Sequence, residues 1–186
     1  MARTNETLAS FDIGYRLEVR RLQDEAAGDT GVYMLGLVDQ RSGVQVNMRD
    51  VGFGVSQVLP VLVQTLVAEN QVILTEQPEL HLHPRLQAEL GDVFIRSALG
   101  GAGNTFLLET HSEHLILRIM RRLRDTSRGT LPEGLPPVRP QDVSVVYVQP
   151  TNNGSIPLVM DLDEEGQLLT AWPNGFFEEG FHERFA

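Results

Sequence analysis

The sequence has no cysteine and no lysine; its 15 basic residues are all arginine, set against 25 acidic ones for a formal net charge of −10. Without cysteine there is no disulfide framework and no thiolate chemistry. The missing lysine has a sharper consequence. The phosphate-binding loop GxxxxGK[ST] uses a lysine to reach the β and γ phosphates of a nucleotide, so this chain cannot supply such a loop. No apolar run approaches the ~20 residues that span a bilayer. The first residues, 1–12, lack the basic-then-apolar order of a secretory signal. A cytoplasmic location away from membranes is expected. The acidic balance repels nucleic acid, so contact with DNA needs a local basic patch or a partner subunit.

The rest is ordinary. Over 186 residues, 41% are hydrophobic and 22% charged, enough for one domain with a real core. Residues 11–49 alternate apolar and polar positions, with Ile13, Tyr15, Leu17 and Val19 two apart and turns at 24–31 and 39–43. They read as an antiparallel three-stranded meander. After a glycine turn at 50–54 comes a helix over 56–70, for which Ser56 is the expected N-cap and Pro60 is read as near the first turn. Residues 71–76 and 104–110 are short apolar runs of the kind expected of buried parallel strands. Helices are expected over 84–99 and 111–127, an exposed proline-rich connection over 128–140, and a hairpin from 142–150 and 155–163 turning at TNNG. Alternation of helix and strand in the middle implies α/β architecture, largely parallel with crossover helices, preceded by the antiparallel meander.

Three motifs carry chemistry. In VILTEQPELHLHP (72–84) an apolar strand ends in Glu76 and enters a turn holding Glu79. A carboxylate anchored at a strand tip is suited to the magnesium of a bound nucleotide. In FLLETHSEH (106–114) a second strand ends in Thr110 and His111, and a histidine there is suited to a γ-phosphate or an attacking water. In DVGFGVSQVLP (50–60) a glycine turn opens a helix, whose free N–H groups form an anion site.

The order of these motifs resembles that of ABC-type ATPases, in the branch with the RecF and SMC proteins: signature turn, Walker B and D-loop, switch histidine. The segment EQPELHLHP resembles the Walker B of RecF-like members, and 163–181 resembles the small domain that closes predicted ATPases of this group. The resemblance covers about 45–186 and implies a P-loop NTPase C-terminal lobe using ATP and magnesium. It implies a signature turn at Gly52, Gly54, Ser56 and Gln57, with magnesium held by Glu76 through water. His111 takes the switch position and Glu79 the D-loop. The expected division is 1–49, strands before the signature; 50–127, the core; and 141–186, terminal strands and closing domain. Gln77 stands where a second acid is usual, and a neutral amide orients water but takes no proton from it. The missing P-loop implies an N-terminal half or partner subunit that carries one, and a homo- or heterodimer formed through the nucleotide. DNA and a nuclease subunit are further partners that the resemblance suggests, in DNA repair or in phage and plasmid defence.

Other readings stay open. A non-hydrolysing, nucleotide-gated interaction module is one. A metal-dependent hydrolase built on His81, His83, His111, His114, Glu76 and Glu113 is another. Arg118, Arg121, Arg122 and Arg128 on one helix offer a phosphate-binding stripe or a solvated face. Trp172, Phe176, Phe177, Phe181 and Phe185 suit base stacking or packing of the tail.

Overall fold

A computed structural model describes residues 2–24 and 28–177. Helix α1 (Ala2–Ser10) precedes a three-stranded antiparallel sheet of β1 (Tyr15–Asp24), β2 (Gly28–Asp39) and β3 (Gln45–Val46). Helix α2 (Phe53–Val67) leads into β4 (Val72–Glu76), α3 (Pro84–Leu99), β5 (Thr105–Glu109) and α4 (Glu113–Ser127). A final hairpin joins β6 (Val145–Thr151) to β7 (Gly154–Met160). The parallel part is the pair β4–β5, joined by α3 in a βαβ crossover. Among the described residues no helix is long and apolar enough to cross a membrane.

The main core lies where α1, α2 and α3 meet the root of the β1–β2 hairpin. Leu8, Leu17, Leu37, Val58, Leu62 and Leu90 are closed off from solvent there. On α2, Val58, Leu59, Leu62 and Thr65 recur at helical spacing and form the inward stripe. Helix α3 opens with Pro84 at its first position, and His83 caps it, Nδ1 accepting from the Arg85 N–H at 3.3 Å. Helix α4 is capped by Ser112, whose Oγ accepts from the Leu115 N–H at 3.0 Å and donates to Gln87 Oε1 on α3 at 2.6 Å. Glu113 lies in its first turn and Arg124 in its last, both matched to the helix dipole.

Several expectations need correction. Residues 2–10 form a helix that helps close the core. Ser56 is not the N-cap of α2: the helix starts earlier, Gly52 is its N-cap, and the Ser56 hydroxyl donates back to the Phe53 carbonyl at 3.0 Å. Pro60 therefore sits two turns in. It is tolerated because it is exposed, where water can take over the released carbonyl. The third strand of the meander is only two residues long. Strands β4 and β5 are buried on one face only: Ile73, Phe106 and Leu108 turn inward, while Val72, Leu74 and Leu107 are 65–69% exposed. The proline-rich connection is not wholly exposed, because Val138 packs beside Ile95 and Leu123 and donates its N–H to Thr126 Oγ1 at 3.0 Å.

Candidate functional site

Parallel pairing places Glu76 directly beside Glu109, each the last residue of its strand. Alternation along the strands turns both carboxylates to the same face, where both are exposed. Two residues beyond Glu109, His111 folds back so that its Nε2 lies 3.3 Å from Glu109 Oε1. Glu76, Glu109 and His111 thus share one rim of the sheet. The Gln77 N–H extends the ladder to the Glu109 carbonyl at 2.8 Å, and Gln77 then takes a left-handed conformation, φ 45°, that turns the chain sharply away. Such outliers gather where the surrounding structure over-determines a turn.

Glu79 behaves differently from the rim carboxylates. It is 6% exposed, and its Oε1 accepts from the His111 backbone N–H at 3.0 Å. It ties the turn after β4 to the turn after β5 and so fixes where the His111 ring emerges. Its Oε2 is buried and accepts from no protein group, a costly state for a carboxylate oxygen unless a donor approaches.

The first turn of α2 lies against the turn after β4. A Cβ at Gly54 would stand 2.7 Å from the His81 carbonyl oxygen, so only glycine permits the contact. The Phe53 and His81 rings are 5.9 Å apart, and His81 itself is left-handed, φ 62°. Gly52 and Gln57 face solvent, and nothing lies within 4 Å of a Cβ built at Gly52. The structure therefore gathers Glu76, Gln77, Glu79 and His111 at the rim. It sets Gly52, Gly54, Ser56 and Gln57 beside them on the far side of the His81 turn.

Residues 6–118, more than half of the chain, match the family described as "AAA domain, putative AbiEii toxin, Type IV TA system". The chain belongs to this AAA-domain family. No curated protein matches it. Two solved structures share its fold. One comes from work on ATP-driven dimerization and DNA-stimulated activation of SMC ATPases, at 10% identity and a TM-score of 0.55, over 100% of this chain and 90% of that one. The other is an Smc head bound to the C-winged helix domain of ScpA, at 10% identity and a TM-score of 0.58, over 87% of this chain. This AAA domain spans only 42% of that second structure's length. The α/β architecture expected from the sequence is thus the observed one.

Glu109 is the rim residue that sequence reasoning missed. Its signal was available: both apolar runs end in an acid, and pairing them end to end puts the two acids side by side. Among the described residues the histidines do not assemble a metal centre. His83 is used as a helix cap and His81 lies against Phe53, and among the described residues no three histidine or acidic side chains converge on a metal position. The arginine stripe is spent on internal pairs. Arg118 and Arg122 bind Asp92 at 2.6 and 2.8 Å, Arg122 also binds Asp125, and Arg128 binds Glu165. Arg121 and Arg128 of the expected stripe are largely exposed, and Arg121 sits 3.7 Å from Asp125. Trp172, Phe176, Phe177 and Tyr147 pack on one another at 4.3–6.0 Å between ring centroids, so these rings are engaged in tail packing. Phe181 and Phe185, with the end of the 163–181 resemblance, lie outside the described residues.

Proposed function

We propose that this AAA domain is one lobe of an ATP-binding ATPase, the RecF-like C-terminal half, and that it works on ATP only when another segment or chain brings a P-loop. The observation that carries this reading is the shared rim: Glu76 in register with Glu109, and His111 within 3.3 Å of Glu109. The rim suits half of the ligand. Magnesium is commonly held by one or two carboxylates together with phosphates and water, and Glu76 at the rim is such a donor. The other half is missing, because the chain has no lysine to reach the phosphates.

In this reading Glu76 holds magnesium through water, and the bound ion supplies charge neutralisation at the phosphates. Gln77 orients the attacking water. His111 faces the γ-phosphate, held by Glu79 through its backbone N–H. Glu109 fills the role that Gln77 cannot: a carboxylate against His111 Nε2 makes a carboxylate–imidazole pair able to accept the proton of that water. Gly52, Gly54, Ser56 and Gln57 form the signature turn, offered to the nucleotide of a second subunit, so that ATP holds two lobes together. Residues 50–127 are the nucleotide-facing core, with 1–49 and 141–186 flanking it. The expected setting is DNA repair or phage and plasmid defence, with a nuclease subunit as partner. DNA contact then falls chiefly to the partner, since Arg118 and Arg122 of α4 are engaged with Asp92.

The test is magnesium-dependent binding of a fluorescent ATP analogue to the chain alone and to the chain mixed with a polypeptide carrying GxxxxGK[ST]. Binding that needs both components, and that loses its magnesium dependence in Glu76→Gln, supports the reading. Binding that ignores Glu76→Gln removes it. Gln77 favours one second reading, a nucleotide-gated module that binds without turnover. It predicts that ATP binding survives in the mixture while phosphate release stays at background.

A further inference from the structure

A small cavity lies far from the rim, at the other end of α3. It encloses about 150 Å³ and is lined by Arg3, Glu6 and Thr7 of α1, Leu66 of α2, and Arg96 and Ser97 of α3. Arg3, Glu6 and Thr7 stand three and four residues apart, so they share one face of α1. Helix α3 opens on the rim side, at Pro84, and Arg96 lies in its last turn. Twelve residues separate the two, roughly 18 Å along the helix axis. The cavity is therefore separate from the site of Glu76 and His111.

The hydroxyls on its wall are already committed. Thr7 Oγ1 donates to the Arg3 carbonyl at 2.9 Å, and Ser97 Oγ donates to the Thr65 carbonyl at 2.8 Å. The two guanidiniums are not committed: among the described residues neither has a hydrogen-bond or ion-pair partner. Arg118, Arg122 and Arg128 by contrast each hold an acid. Glu6 follows Arg3 by one turn, the spacing of a helical ion pair, yet the two do not pair. Arg3 also lies in the first turn of α1, which holds no acid and where the helix dipole disfavours a cation. Arg96 suits the dipole at the end of α3, but that leaves its five N–H donors unused. Both side chains are exposed, so the cavity is open to a diffusing ion.

We infer that this cavity is a site for a phosphate-type oxyanion, held between Arg3 and Arg96. A guanidinium donates two parallel N–H bonds to such an ion, and its planar fork fits phosphate geometry. The two arginines and Glu6 sum to one positive charge, so a dianion gains more here than a singly charged carboxylate does. The volume lies below the ~300 Å³ at which sites for drug-sized ligands begin. That admits a single phosphate group and leaves a nucleoside outside. The bound ion joins α1 to α3. It adds to the hold of Asn5, whose side chain accepts from the Leu17 N–H at 2.8 Å and donates to the Leu17 carbonyl at 3.1 Å. The site is independent of the nucleotide reading, since no ATP, magnesium or P-loop enters it.

The test is calorimetric titration of the full chain, without nucleotide, with sodium phosphate at constant ionic strength. Saturable one-to-one binding is expected. Arg3→Gln and Arg96→Gln are each expected to weaken it at least ~10-fold, the loss that goes with a hydrogen bond to a charged group. Arg85→Gln removes an equal charge from the far end of α3 and is expected to leave the affinity within ~2-fold, because salt screens charges that distant. Glu6→Gln is expected to tighten binding. It removes only an exposed carboxylate, so it tests the site even where an arginine variant fails to fold. No saturable binding, full affinity in either arginine variant, an equal loss in Arg85→Gln, or an affinity that Glu6→Gln does not raise overturns the site. Acetate bound as tightly as phosphate overturns the ligand class. Methyl phosphate separates the sources of the ion. Bound as tightly as phosphate, it makes the ligand the phosphate group of a larger molecule whose body stays outside; excluded, it makes the ligand free phosphate.

Discussion

The two glycines that flank Phe53 are not equivalent, and this gives a direct test of how the first turn of α2 is seated. Gly54→Ala forces a Cβ to within 2.7 Å of the His81 carbonyl oxygen, whereas a Cβ at Gly52 meets nothing within 4 Å. Gly54→Ala is expected to cost about 1–3 kcal/mol in urea unfolding. Gly52→Ala is expected to cost less than about 1 kcal/mol. Equal costs contradict the packing described. Asp92 is the other residue with a large expected effect. Burial works against its charge, but hydrogen bonds and attraction from Arg122, and then from Arg118, outweigh that and hold its carboxyl below the ordinary 3.8. A lowered folded-state pKa contributes stability that is present above 3.8 and is lost as pH falls through the folded value. Wild type is expected to lose a stability increment on acidification below about pH 4 that Asp92→Asn does not lose, as read from urea midpoints. At neutral pH Asp92→Ala leaves Arg122, whose side chain is 7% exposed, with Asp125 but without its bidentate partner, and is expected to cost up to about 3–5 kcal/mol. The strand-tip placement of Glu76 and His111 was legible because each lies at or just past the end of an apolar run, a local pattern. Glu109 needed the register between two runs, and the inward turn of Glu79 needed the left-handed Gln77 before it. Neither is local.

At the scale of elements, Asn104 fastens the entry of both parallel strands to the helices behind them. It is 3% exposed; its Nδ2 donates to the Ala68 carbonyl at 2.7 Å and to Ser97 Oγ at 2.9 Å, and its Oδ1 accepts from the Gln71 N–H at 2.9 Å. Asn104→Ala removes three bonds and leaves buried polar groups unmet, so a loss of about 2–4 kcal/mol is expected in urea unfolding. A change under about 0.5 kcal/mol contradicts this role. Helices α3 and α4, expected over 84–99 and 111–127, form within two residues of those bounds. The start of α2 was misplaced because serine is the stronger N-cap type, while the contact with His81 that settles the start is tertiary. Strands β4 and β5 read as wholly buried because their sequences are continuously apolar. The structure leaves one face bare, so the pattern records a burial that these residues alone do not provide. The hairpin β1–β2 carries the same lesson outward, with Val32, Tyr33 and Leu35 all exposed.

At the scale of the molecule, the same incompleteness appears three times: no lysine for a phosphate loop and, among the described residues, an edge of β5 without a partner and an apolar sheet face without a cover. The first was legible by counting. The other two were not, because edges and faces exist only once strands are paired. Together they support the proposal of a lobe whose chemistry is assembled on contact with another polypeptide segment. The decisive measurement is phosphate release from ATP by the chain alone, by a P-loop-bearing segment alone, and by the two together. Background rates for each part and turnover for the mixture, falling about 100-fold or more in Glu76→Gln, is the predicted result. A mixture that stays at background, or one that turns over equally well with Glu76→Gln, contradicts it.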